Sequence, residues 1–326
     1  MSENLSGRES PIRSSSGIKA KRHGRRRSLM MFTLSILMVA AISLVVIKRV
    51  TGSNSEELPP KVSGSEVATG PGQVFLPFDV ALQLKSDFKD LQYQINGDIG
   101  LVVKPVGGAD REIVLGNWRI GPAWSTIKVP LAIAALREEE AEPIATSDMV
   151  AAITTSDNFA ADALWRGLGD PPEAASKVEA ILRETGDNTV VQDQKVRPDK
   201  PELSAFGQTQ WPLVDQARFL ASAACDKRNE PIFALMGEVA GGQAWGIGQL
   251  DGARYKGGWG PSISGAYLVR QVGVLRTPSG QTAVAVAVQP GSGSFEDGTD
   301  ALSRIAAWIS DHQALLPSGN CPNGSR

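Results

Sequence analysis

The chain has 326 residues, 42% hydrophobic and 21% charged, with a formal net charge of -2. That is the composition of a globular protein of one or two domains. Eight Lys/Arg against two Glu in residues 1–28 leave the remainder at a net -8, a poor nucleic-acid-binding body, since phosphate contacts need clustered Lys and Arg.

Residues 1–28 read as a basic cytoplasmic tail. Leu29 to Ile47 are 19 residues without a charge, enough to span the ~30 Å hydrocarbon core of a bilayer. The basic block precedes them and only Lys48 and Arg49 follow, so the positive-inside rule predicts a single-pass signal-anchor in the cell membrane with the body on the extracytoplasmic side. A cleaved signal peptide is the alternative. No small-x-small site follows Ile47, although Arg26-Arg27-Ser28-Leu29 loosely resembles a twin-arginine signal. Residues 48–74, rich in Ser, Gly, Pro and Glu, read as a flexible linker to a body over 75–316 with a tail at 317–326. Outside the cytoplasm the two cysteines, Cys225 and Cys321, form a disulfide that pins this tail.

Within the body, Val80, Leu84, Phe88 and Leu91 recur at helical spacing and predict a helix over 79–92. Ile99–Val103 and Ile113–Leu115 read as a hairpin. An apolar helix then opens at Ser125, with Pro130 early in it at an unexplained cost. Helices follow from Thr146 or Ser147, over 159–168, 172–185 and 212–224, separated by a loop over 189–210 that lacks periodicity. Arg254–Lys256, Tyr267–Leu275 and Gln281–Val288 are strand-like, and a helix over 299–310 closes the chain. The order predicts an α/β protein of the α+β type, a mainly antiparallel sheet with helices packed on it and a helical insertion.

Ser125 and Lys128 stand three residues apart at a helix start, so the amine can share a face with the hydroxyl. A serine beside an amine of lowered pKa is a workable nucleophile and base. The only histidines, His23 in the basic tail and His312 at the end of the last helix, offer no base for a Ser-His-Asp triad. No His/Cys/Asp cluster has metal-ligand spacing, so neither metal nor cofactor is expected.

Ser156-Asp157-Asn158 lies 31 residues after Ser125, and Lys256-Gly257-Gly258 lies 131 after it. Ser-x-x-Lys, Ser-Asp-Asn and this third motif, in this order, resemble class A β-lactamases and penicillin-binding proteins over roughly Val80 to Ile309. The resemblance implies a β-lactamase/transpeptidase-like fold, and a serine hydrolase forming an acyl-enzyme on Ser125. Lys128 is the general base and Ser156 a proton relay to the leaving nitrogen. Asn158, Lys256, Gly258 and Trp259 bind substrate, with the backbone N–H groups of Ser125 and Trp259 as oxyanion hole. The partners implied are a small-molecule or peptide acyl substrate, a β-lactam or peptidoglycan-like peptide, and the membrane through the anchor.

Three departures qualify the match. The segment before Ser156 is short, so the helical subdomain is trimmed. The third motif lacks its usual hydroxyl residue. Where the family carries its deacylating glutamate in Glu-Pro-x-Leu-Asn, this chain reads Lys200-Pro201-Glu202-Leu203-Ser204, leaving Lys200 at the base position and Glu202, Asp199 or Asp193 as substitutes. Slow deacylation follows. An esterase on another acyl substrate and a catalytically weak envelope peptide-binding protein remain alternatives.

Overall fold

The computed structural model describes residues 78–108, 112–138 and 144–322. The chain divides into Met1–Glu66 and Val67–Arg326, and all described residues belong to the second unit. Helix α1 (Phe78–Gln94) leads into strands β1 (Gly97–Pro105) and β2 (Ile113–Gly116). A helical block follows: α2 (Lys128–Arg137), α3 (Ser147–Val150), α4 (Asn158–Gly167), α5 (Pro171–Arg183), α6 (Leu213–Ala223) and α7 (Glu230–Leu235). Strands β3 (Arg254–Pro261), β4 (Tyr267–Thr277) and β5 (Gly280–Pro290) and helix α8 (Phe295–His312) complete the unit.

The sheet has five antiparallel strands in the order β2-β1-β5-β4-β3. Alternation along β5 assigns its faces. Val284, Val286 and Val288 pack with Leu84 and Phe88 of α1 and with Leu302, Ile305 and Ile309 of α8. Ala283, Ala285 and Ala287 belong to the other core, with α2, α4, α5 and α6. Each face thus buries its own apolar stripe, as side chains of period two require. Strand β3 is an edge, which leaves its far side free for the helical block.

Two local differences from the sequence expectation have physical causes. The serine helix is two elements, a 3₁₀ turn over Trp124–Ile127 and then α2 from Lys128. Pro130 is therefore the third residue of α2, where an N–H lacks an intrahelical partner anyway, and its expected cost disappears. Helix α7 has only six residues, too short for a periodic signal.

The expected Cys225–Cys321 bond is present, with Cα atoms 5.2 Å apart. It anchors the tail, which also pairs Gly319 with Gln281 at the start of β5.

The single-pass membrane assignment is corrected. No described helix is long and apolar enough to cross a bilayer. The longest, α8, has 18 residues and carries Glu296, Asp297, Asp300, Arg304 and Asp311, whereas a span needs about 20 predominantly apolar ones. The tail, anchor and linker expected over residues 1–74 lie outside the described residues.

Candidate active site

Three segments meet along the middle of β3. The first is the 3₁₀ turn carrying Ser125. It is entered through Trp124 at φ 49, one of two non-glycine residues with positive φ among the described residues. The other is Ser156, at φ 59 and ψ 32, which ends a π-helical turn over Ala151–Thr155. Left-handed backbone costs such residues roughly 1–3 kcal/mol and persists only where the surroundings enforce it, so two such residues here mark the region. Asp157 turns the chain into α4 as its N-cap, accepting from Ala160 N at 2.8 Å, so this carboxylate is engaged in capping.

The second and third motifs meet at Ser156. Lys256 Nζ donates to Ser156 Oγ at 2.7 Å and to Gly257 O at 2.8 Å. Lys128 Nζ donates to Ser156 O and Asn158 Oδ1, each at 2.7 Å, to Asp157 O at 3.2 Å and to Ser156 Oγ at 3.4 Å. Two amines therefore converge on one hydroxyl, and both are buried, Lys128 at 2% and Lys256 at 0% exposure. Burial lowers Lys128 to about 8, with Asp157 and Asp162 opposing the shift. Burial, and then the positive charge of Lys128, hold Lys256 well below the ordinary lysine range. Two cations desolvated side by side are costly, which favours a neutral amine in the pair at mild pH.

Ser125 is half-buried, and among the described residues its hydroxyl shares no hydrogen bond with Lys128. Gly258 packs against its turn: a Cβ there would lie 2.9 Å from both Ser125 N and Thr126 N. Only glycine lets β3 approach so closely. Gly257 faces the other way, where a Cβ would meet the Trp245 ring at 3.0 Å. That indole occupies the space a hydroxyl residue would need, which accounts for Lys-Gly-Gly. Trp259 also turns its ring away, onto Trp245 and Phe295 at centroid distances of 5.9 and 5.5 Å. Its main chain alone is left to face the serine side.

The loop residues border the site at Asn158 without bonding to its amines or hydroxyls. Lys200 is half-exposed and sits in a turn closed by Leu203 N to Lys200 O at 3.1 Å. Glu202 is exposed and lines a cavity of about 270 Å³ with Asn158, Asp162 and Asp193. Among the described residues no carboxylate hydrogen-bonds Ser125, Lys128, Ser156 or Lys256.

A larger cavity, about 1090 Å³, contains none of these residues. Its lining charges pair with each other, Lys104 with Glu112 at 3.4 Å and Arg218 with Glu112 at 3.2 Å, so size does not locate the chemistry. Sequence reading missed Arg270, which is fully buried behind the serine turn. An arginine amid the apolar residues of Tyr267–Leu275 was the available signal.

No family model and no curated protein matches the chain. Solved structures do. The TLA-1 extended-spectrum β-lactamase is 16% identical over 72% of this chain and 99% of its own, with a TM-score of 0.59. A class A β-lactamase from Bacteroides cellulosilyticus gives 15% over 72% and 98%, TM-score 0.58. A β-lactamase from Xanthomonas campestris pv. campestris gives 19% over 71% and 98%, TM-score 0.54. The chain has a β-lactamase-like fold.

Proposed function

With that fold as premise, we propose that the protein is a serine hydrolase that acylates Ser125 and releases the acyl group slowly. The observation that carries this reading is the convergence of the Lys128 and Lys256 amines on Ser156 beside the Ser125 turn. Ser125 attacks a carbonyl while neutral Lys128 takes the hydroxyl proton. The Ser125 and Trp259 N–H groups receive the developing oxyanion, each worth ~3 kcal/mol in the transition state. Ser156 gives its hydroxyl proton to the leaving nitrogen and is reprotonated by Lys128, which carries the proton taken from Ser125, and Asn158 orients the substrate's acylamino group. Lys256 orients the Ser156 hydroxyl as its hydrogen-bond donor, and a bound substrate carboxylate would draw a proton onto its depressed amine.

The substrate class is a β-lactam or a cell-wall peptide. Support comes from the three motifs and from neighbours that are themselves β-lactamases. Release requires a base directed at a water on the acyl ester, and no carboxylate is hydrogen-bonded into the group among the described residues. The test is intact-protein mass spectrometry after exposure to a panel of β-lactams and activated acyl esters. A covalent adduct on the wild type and none on Ser125→Ala is expected. Unmodified wild-type protein across the whole panel would leave the site as a non-covalent binder.

A further inference from the structure

The Arg270 guanidinium has no carboxylate partner among the described residues, although its residue is 0% exposed. Its acceptors are all neutral. Nη1 donates to Gly121 O at 3.0 Å and Pro122 O at 2.8 Å. Nη2 donates to Trp211 O at 3.1 Å and to Gln216 Oε1. Its face lies 5.1 Å from the Trp118 ring centroid. Burial lowers its pKa to about 9. A buried charge without a counter-ion is expensive, and an apolar residue would avoid that expense in a core built only for stability.

What these bonds hold is the approach to the nucleophile. Gly121 and Pro122 precede the strained Trp124, and Gln216 continues the network on its other side. Gln216 Nε2 donates to Thr126 Oγ1 at 2.9 Å, and Thr126 Oγ1 donates to Ala123 O at 2.6 Å. Arg270 also pairs in register with Gly258, the residue pressed against Ser125 N. Residues on both sides of Ser125 are thus tied to one buried guanidinium. We propose that Arg270, acting through Gln216, is a positioning residue that holds the Gly121–Thr126 segment so that Ser125 and its N–H keep their reactive placement. It touches neither substrate nor the reacting atoms. The proposal rests on the acylation reading above for its kinetic consequence, but not for its structural one.

Three full-chain variants test it: Arg270→Met, Arg270→Lys and Gln216→Glu. The last keeps an acceptor for Arg270 and removes the donor to Thr126, so it separates positioning from charge burial. Acylation by whichever donor labels the wild type is resolved into a dissociation constant and a first-order step, and amide hydrogen exchange of residues 123–127 is followed alongside. Displacement of a nucleophile by an ångström costs about a hundredfold, so the first-order step of Gln216→Glu should fall on the order of tenfold to a hundredfold. The dissociation constant should stay within about threefold, because ground-state binding is untouched. Exchange at 123–127 should rise while the remaining helices and strands keep their protection, with Arg270→Lys between the wild type and Arg270→Met. Wild-type exchange and wild-type acylation in folded Gln216→Glu would overturn the proposal. If Arg270→Met does not fold, Gln216→Glu and Arg270→Lys decide alone. If no donor acylates the wild type, the functional reading fails and exchange at 123–127 still decides this one.

Discussion

Lys256 Nζ lies 2.7 Å from Ser156 Oγ across a separation of one hundred residues, and Lys128 Nζ approaches the same hydroxyl at 3.4 Å. The pair sets the protonation chemistry of the site, because two ammonium groups cannot both be held cheaply out of water.

The first consequence is a pH profile. With Lys128 at about 8 and required neutral as base, acylation should rise by about tenfold per pH unit below that value and level off above it. Stopped-flow acylation between mildly acid and mildly alkaline pH measures the midpoint. A flat profile would remove Lys128 from the role of base.

The same shift has a stability counterpart. Lys128 titrates at about 8 in the folded state against an ordinary 10.5, so between those values the unfolded chain binds the extra proton. Stability contributed by this residue therefore rises with pH across that window, by on the order of 3 kcal/mol. Denaturant unfolding of the wild type and Lys128→Met at several pH values should show a steeper rise in the former, the rise left in the variant coming from the buried Lys256. Parallel curves would contradict the buried, depressed amine.

Gly257 and Gly258 should respond differently to substitution. A Cβ at Gly258 strikes backbone atoms of the serine turn at 2.9 Å, which cannot move aside, so Gly258→Ala should cost acylation on the order of a hundredfold. At Gly257 the obstacle is the Trp245 ring at 3.0 Å. Gly257→Thr, which installs the hydroxyl seen in related motifs, should destabilise the fold by roughly 1–3 kcal/mol, and Trp245→Leu should recover part of it. Thermal unfolding of the single and double variants checks this, and additive losses would show that the two positions do not meet.

The disulfide gives a further test. Cys225 and Cys321 are 96 residues apart, and the chain-entropy model assigns a loop of that length about 4–5 kcal/mol. A Cys225→Ser/Cys321→Ser double variant should lose stability of that order by denaturant unfolding, while the tail's pairing of Gly319 with Gln281 weakens. Unchanged stability would mean that the β5 contacts alone hold the tail.

Much of this architecture was legible in the sequence where local pattern and buried face coincide. Val284, Val286 and Val288 alternate because one face of β5 is a core, and the spacing of Leu84 and Phe88 reports the stripe of α1 against the same face. The motif residues could be placed in order, but their geometry could not. That Lys128 turns to Ser156 and Asn158 depends on the left-handed Ser156, a tertiary constraint without a local signal. Arg270 was missed for the same reason: its four acceptors, on Gly121, Pro122, Trp211 and Gln216, lie more than fifty residues away. The apolar stretch Leu29–Ile47 lies outside the described residues, and no described helix carries the single-pass assignment drawn from its hydropathy.

In the proposed mechanism Ser125 is acylated faster than it is freed. Rapid mixing of the protein with excess penicillin, quenched over seconds to hours and read by intact mass, measures both steps. The predicted result is one adduct of penicillin mass on Ser125 that outlasts its formation by orders of magnitude, absent from Ser125→Ala and shorter-lived in Lys200→Glu, where a carboxylate enters the loop. Rapid steady-state hydrolysis without an accumulating adduct would contradict it.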